Sequence, residues 1–217
     1  MYRDDVHFYR KGKPNYWGPN LNLKPENNIT REIGAGIQLD GLLTGNDRLQ
    51  LKGGYFGTDA RNYIATRVDM KRMRSYSYNV SRARIWGWDM QGNYQSDYFD
   101  WMLSYNRTES MDASSREWLG SGNPDTLISD ISIPVGHGGV SAGWRAELSA
   151  AATHVKKGDP HQAGYAVHSF SLSYKPVSVK GFEASVTLDN AFNKLAMNGK
   201  GVPLSGRTVS LYTRYQW

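Results

Sequence analysis

The sequence predicts an all-β chain, an antiparallel up-and-down sheet of about nine or ten strands forming a transmembrane β-barrel wall. Three observations predict it. Apolar and polar residues alternate with period 2 along much of the 217 residues, while helical periodicity is nearly absent. Connections between the alternating runs include short ones and others that are long and polar, as when strands run up and down between turns and loops. Aromatic residues, 12% of the chain, gather near the ends of several runs, where a membrane interface would hold them.

The first run covers 29–43, with Ile33, Ala35, Ile37 and Leu39 alternating against Glu32, Gly34, Gly36 and Gln38. After the turn sequence TGND, a second run covers 48–58. The third, 77–95, sets Trp86, Trp88, Met90 and Tyr94 against Asp89, Gln91 and Asn93. QSDY then turns the chain into 98–109, where Phe99, Trp101, Leu103 and Tyr105 oppose Asp100, Met102, Ser104 and Asn106. Two further runs are placed at 137–146 and 147–156, joined by RAE. In 167–177, Phe170, Leu172 and Tyr174 oppose serines, and VSVKG leads to 181–193, where Phe182, Ala184, Val186 and Leu188 oppose Glu183, Ser185, Thr187 and Asp189. The last run, 207–217, places Val209, Leu211, Tyr215 and Trp217 on one side and Ser210, Tyr212, Arg214 and Gln216 on the other. The segments 59–76, 110–136, 157–166 and 194–206 are read as long polar loops.

Composition fits a sheet with one greasy and one wet face. Hydrophobic residues are 39% of the chain, and mean hydropathy is −0.61. The 14 Tyr and 7 Trp argue against disorder. No cysteine is present, which excludes disulfides and thiolate chemistry. No apolar run is long enough for a transmembrane helix, and MYRDDVHFYRKGK has no apolar export core. The chain is therefore soluble, or crosses a membrane with strands, or is a piece whose export signal lies elsewhere. The net charge of +6 suits an anionic ligand or lipid.

Alternation by itself also fits a soluble β-sandwich with its apolar face inside. Run lengths above the usual strand mode and the aromatic placement favour the barrel, with apolar residues toward lipid and charges toward a wet lumen. On that face Asp89, Asp100 and Glu183 are expected to pair with Arg84, Lys52 or Arg214. No hydrolase elbow, zinc-protease or phosphate-loop motif occurs, and GHGG at 136–139 lacks the strand–Ser–helix context of an oxyanion loop. The chain is read as no enzyme. Basic and aromatic residues occupy different faces, which excludes a nucleic-acid surface.

Five stretches, taken in order, resemble TonB-dependent outer-membrane receptors: GPNLNLKPENNITREIG, LKGGYFGTDARNYI, SRARIWGWDM, SYKP followed by VTLDNAFNK, and GVPLSGRTVSLYTRYQW. The resemblance implies a Gram-negative outer-membrane location and a barrel of about 22 strands around a plug. It implies that this chain is the C-terminal part of such a barrel without the plug, with 1–28 an extracellular loop segment and 29–217 strands and loops. LNLKPE, DGLLTGNDRLQLKGGYF and NYI most resemble the haem and haemophore branch. That resemblance implies haem as the transported ligand and no intrinsic cofactor. His7, before the GPNLNL segment, is then the candidate ligand of haem iron, with His161 a second candidate. Tyr16 and Trp17 would stack on the porphyrin, and Arg72 and Arg74, in the basic run TRVDMKRMRSY, would meet propionates, an acidic partner or lipid phosphates. Leu211, Tyr215 and Trp217 would be the signal read by the barrel assembly machinery. Implied partners are outer-membrane lipid and lipopolysaccharide, TonB through a part of the receptor outside this chain, and haemoglobin or a haemophore. A receptor for a siderophore or another metal complex, or a porin-like structural barrel, are the alternatives.

Overall fold

The structure is a computed structural model that describes residues 6–69, 71–120, 124–159, 161–197 and 203–217, and for residues 6–10 the backbone alone. One sheet of 11 strands accounts for the fold. The strands are β1 (Val6–Arg10), β2 (Lys13–Gly18), β3 (Asn27–Asp40), β4 (Arg48–Asp69), β5 (Arg74–Gln95), β6 (Asp100–Asp112), β7 (Thr126–Val135), β8 (Val140–Ser149), β9 (Tyr165–Tyr174), β10 (Phe182–Asp189) and β11 (Thr208–Tyr215). From β3 to β11 each strand pairs antiparallel with the next, as a meander requires. The β1–β2 hairpin joins differently, because β2 lies parallel to β5 at its first residues.

The short connections 41–47, 96–99, 136–139 and 175–181 all fall at one end of the sheet, here the turn end. At the other, the loop end, lie 113–125, 150–164 and 190–207. Glycine is required in the turn at 136–139: Gly139 has φ +79°, and a Cβ there would collide with the Lys175 carbonyl. GHGG is thus the β7–β8 turn. In the 190–207 connection Asn190, 4% exposed, donates from Nδ2 to the carbonyls of Lys194 (3.0 Å) and Ser205 (2.9 Å). Its φ of 46° is a conformation that Asn tolerates better than most residues.

Register puts the apolar residues of successive strands on one continuous face. Ile33, Tyr55, Trp88 and Arg107 lie in one cross-strand row, and Ile37, Leu51, Gly92 and Leu103 in another. Farther along the sheet, Ile131, Trp144, Phe170, Leu188 and Val209 continue the same face. These side chains are uncovered: Ile33 is 74% exposed, Leu172 54% and Leu211 72%. The opposite face carries Gln38, Gln50 and Asn93, then Ser141, Ser171, Thr187 and Ser210. Among the described residues the buried apolar set is only Ala60, Val80, Ala83, Tyr94 and Ala146, fewer than the buried polar residues. A soluble sandwich would bury its apolar faces against a second sheet. A single layer with a bare apolar face needs an apolar solvent, as a barrel wall does.

Several sequence expectations are corrected. The segment 110–136 is not all loop, because 126–135 forms β7. The runs placed at 137–146 and 147–156 are one strand, β8, and RAE is inside it. Arg145 and Glu147 point to the wet face, and Arg145 pairs with Asp130 on β7 at 3.3 Å, so charges read as a turn are part of the ladder. The segment 59–76 is not a loop either: β4 and β5 pair through it as far as Asp69 and Arg74. Glu183 takes Lys175 (3.1 Å) as its ion-pair partner, and Arg84 sits with Asp59 on the apolar-face register, away from the wet face.

Candidate functional site

The loop end of β4 and β5 organises the candidate site. β6 stops pairing with β5 at Ala83, so the β5 segment from Arg74 to Ala83 rises about 30 Å beyond its neighbour. Its edge would be left unpaired there, and β2 fills it, with Tyr16 beside Arg74, Trp17 beside Ser75 and Gly18 beside Tyr76. Asn15 and Ser75, both fully buried, lock the contact through a 2.7 Å bond from Ser75 Oγ to Asn15 Oδ1. The Tyr16 N–H donates to the Met73 carbonyl at 3.1 Å. Below this, Asn20 Nδ2 donates to the Ser77 carbonyl, and Asn79 accepts from the Lys24 N–H and donates to the Lys24 and Asn62 carbonyls. The segment after β2 is thereby tied down along β5.

The β4–β5 tip is shaped by Asp69. Its Oδ1 accepts from the N–H groups of Lys71 (2.9 Å) and Arg72 (3.0 Å), and Oδ2 lies 3.9 Å from the Arg72 guanidinium. The Arg72 N–H bond, despite some opposing burial, holds the Asp69 carboxyl below its usual pKa. Arg67, Lys71, Arg72 and Arg74 are all exposed around it, an excess of positive charge at the tip.

Several residues singled out from sequence lie on neighbouring strands or in the adjoining turn here. β1 pairs with β2, setting Val6 opposite Tyr16 and Phe8 opposite Asn15, with an irregularity at His7 between them. The backbone of His7 is therefore one strand away from Tyr16 and Trp17, and these are one strand away from Arg74, with Arg72 in the adjoining turn. The His7 side chain lies outside the described residues. His161 is exposed in the β8–β9 loop, beside the Ala152–Gln162 bridge. Lys156 of that loop reaches the Tyr78 hydroxyl on β5 at 2.8 Å, so the loop leans back toward the same end.

The other histidines have different situations. His137 lies in a turn at the opposite end of the sheet. His154 Nδ1 is 2.7 Å from Glu109, and its ring stacks on Trp118 with centroids 4.0 Å apart. His168 accepts from Trp144 Nε1 at 3.3 Å and meets Phe192 edge-on. Leu211 and Tyr215 share the apolar face with Val186 and Phe182, and Trp217 beyond β11 is fully exposed. Sequence reasoning missed Asn15, Ser75 and Asp69. No local signal joins Asn15 to Ser75, which are 60 residues apart, while an Asp two to three residues before a basic turn is a recognisable turn signal.

The family profile described as TonB dependent receptor-like, beta-barrel, matches residues 5–193. A hemin receptor of Yersinia pestis is 42% identical over 223 residues, covering 100% of this chain and 33% of that protein. A TonB-dependent heme receptor A of Haemophilus influenzae (strain 86-028NP) is 25% identical over 217 residues, covering 86% of this chain and 29% of that protein. Among solved structures, the copper transporter OprC superimposes with a TM-score of 0.73 at 21% identity, covering 89% of this chain and 32% of that one. A double mutant of the Serratia marcescens hemophore receptor HasR, in complex with HasA and heme, gives 0.68 at 21%, covering 94% and 33%. The chain spans about a third of the length of the curated relatives it matches. The bare apolar face, the turn and loop ends and the matched span agree: this chain belongs to the TonB dependent receptor-like β-barrel family.

Proposed function

We propose that this chain forms wall and ligand-facing loops of an outer-membrane receptor that takes up haem under TonB coupling. The observation that carries the reading is the convergence at the loop end of a histidine strand, two aromatics and a cationic tip. An imidazole supplies a ligand for iron, aromatic faces stack on a flat macrocycle, and guanidiniums meet carboxylates. Haem has all three complements: an iron centre, a flat ring and two propionates. Identity of 42% along the whole of this chain, a third of the relative's length, to a protein named hemin receptor supports the same ligand. The role is transport, not catalysis.

In this reading residues 1–28 and the loop end face the outside, because long loops of such barrels are extracellular. Residues 29–217 supply wall and loops, bare apolar side chains meet lipid and lipopolysaccharide, and the serine- and charge-bearing face meets the lumen. TonB acts through residues other than those of this chain. Leu211, Tyr215 and Trp217 present an apolar edge ending in aromatics to the assembly machinery, and haemoglobin or a haemophore delivers the ligand to the loops.

The test is a haem titration of the receptor that contains this chain, followed by its Soret band. Binding that loses at least tenfold in affinity with His7→Ala, and shifts its Soret maximum, supports the reading. An unchanged spectrum removes His7 from the site. Absence of any haem binding alongside binding of a ferric siderophore would replace the ligand class.

A further inference from the structure

Strands β3, β4 and β5 share one long register, and their apolar-face residues read as a graded column from the loop end downward. Its upper rows are Asn27–Arg61–Arg82 and Ile29–Asp59–Arg84, followed by Arg31–Gly57–Trp86. Four exposed guanidiniums thus face one carboxylate, Asp59, which lies 3.3 Å from Arg31 and 3.7 Å from Arg84. Next come the rings of Tyr55 and Trp88, 4.7 Å apart, and Trp86 just above. The rows beneath are Ala35–Gly53–Met90 and Ile37–Leu51–Gly92, apolar and notched by small residues.

Cavities follow one another down this column: the topmost, of about 560 Å³, lies among Asn27, Asp59, Arg61 and Arg82, and two more lie below it. The first of these, of about 460 Å³, is lined by Arg31, Asp59, Arg84, Tyr55 and Trp86. The second, of about 470 Å³, is lined by Ala35, Gly53, Met90, Gly92 and Leu103. From Arg31 to Ala35 is four residues, about 13 Å of strand. Cationic head site, aromatic shelf and apolar groove therefore follow in the order of an amphipathic lipid standing in one leaflet.

We propose that this column is a binding site for a phosphorylated, multi-acylated glycolipid of the lipid A type. Guanidiniums at 31, 61, 82 and 84 take the phosphates, Trp86 and Tyr55 bear on the sugar, and the groove beside Gly53 takes an acyl chain. The loop end selects the outer leaflet, where lipids of this charge reside. The proposal rests on the barrel-wall reading and adds a defined site to it. Ordinary phospholipids carry a single phosphate and leave part of the cationic row unmatched.

The test uses the intact receptor, purified from outer membranes in mild detergent and delipidated. It is titrated with bisphosphoryl lipid A, with phosphatidylglycerol, and with inorganic phosphate. Each guanidinium near an anionic lipid surface is worth roughly a fivefold change in affinity, so Arg82→Gln with Arg84→Gln is expected to weaken lipid A binding about thirtyfold. Gly53→Leu fills the groove and is expected to weaken it as well. A Cβ at Gly53 meets only Met90 Cγ at 3.8 Å and the Asp89 carbonyl at 4.0 Å, both ordinary contacts, and the heat-modifiable gel shift of the variant checks that it folds. Lys180→Gln, in a turn at the opposite end, is the control and stays at the original affinity. Lipid A affinity that is unmoved by both site variants, or matched by phosphatidylglycerol or inorganic phosphate, overturns the site. Recovery of the receptor in the soluble fraction without detergent overturns the barrel-wall reading itself, a separate result.

Discussion

The Tyr94 hydroxyl donates to Asp47 Oδ2 across 2.8 Å, joining the end of β5 to the β3–β4 turn. The same oxygen accepts the Leu43 N–H at 2.7 Å, and the Asp47 carbonyl accepts from Gly41. Burial opposes ionisation of Asp47, but the Leu43 N–H and the Tyr94 hydroxyl outweigh it and hold the carboxyl below its ordinary pKa. A carboxyl depressed in the folded state contributes stability above its unfolded pKa and loses it as pH falls through the folded one. The turn is therefore expected to hold at neutral pH and loosen only in acid, below the ordinary carboxylate range. Tyr94→Phe and Asp47→Asn should both lower the temperature of the heat-induced gel shift at pH 7 and flatten its acid dependence. An unaltered acid profile in Asp47→Asn would remove this carboxyl as the titrating group.

Gly87 marks a position where the wall tolerates no side chain. It lies opposite Phe56 on the wet face, and an added Cβ would run into the Phe56 ring and the Arg107 carbonyl. The ring covers the glycine, a cross-strand arrangement that protects an exposed backbone. Gly87→Ala is expected to cost about 1–3 kcal/mol by overpacking. The check is the yield of heat-modifiable barrel in the outer membrane, set against Gly53→Ala, which meets only ordinary contacts.

Asn15 is fully buried where β2 meets β5. Removing its side chain breaks the buried bond from Ser75 that seats β2 on β5. Asn15→Ala is expected to cost about 1–3 kcal/mol at that contact. Limited proteolysis should then cut within 11–18 sooner, and haem affinity should fall without a change in Soret position. A shifted Soret band would indicate that Asn15 shapes the iron site directly.

Arg72 and Arg74 are exposed, so each charge is screened. Arg72→Gln with Arg74→Gln is expected to weaken haem binding severalfold, with the loss shrinking as salt rises. Haem dimethyl ester, which lacks the propionate charges, should bind both forms alike. Equal losses for haem and its ester would assign these residues to folding of the tip.

Trp217 is fully exposed beyond β11, whose outer edge has no partner among the described residues. Deleting it is expected to lower the outer-membrane level of the receptor while leaving haem affinity per folded molecule unchanged. Quantitative blotting of membrane fractions checks the first part and titration the second.

The sequence by itself determined the fold class and the face of most strands. A side-chain period of 2 cannot be shifted by one residue without turning every apolar residue inward, so Ile33 to Leu39, Phe170 to Tyr174 and Phe182 to Leu188 could be sided by inspection. By type and by resemblance it also singled out Tyr16, Trp17, Arg72 and Arg74, which the structure places on β2 and at the neighbouring β4–β5 tip. It failed where local pattern and pairing disagree. In β7, Ile128 faces the wet side and Ser129 the apolar side, so alternation is broken and TLISDISIPV looked like loop. In β8, Arg145 and Glu147 looked like a turn because their partners on β7 are far away in sequence. Only the tertiary structure decided that β4 and β5 continue paired to Asp69 and Arg74, and that β2 docks on the bare stretch of β5. The reason is physical: an unpaired edge must be satisfied, and which segment satisfies it depends on strand lengths that no single strand encodes. The same holds for the column on β3, β4 and β5, whose charge, ring and groove come from three strands and exist only in their register.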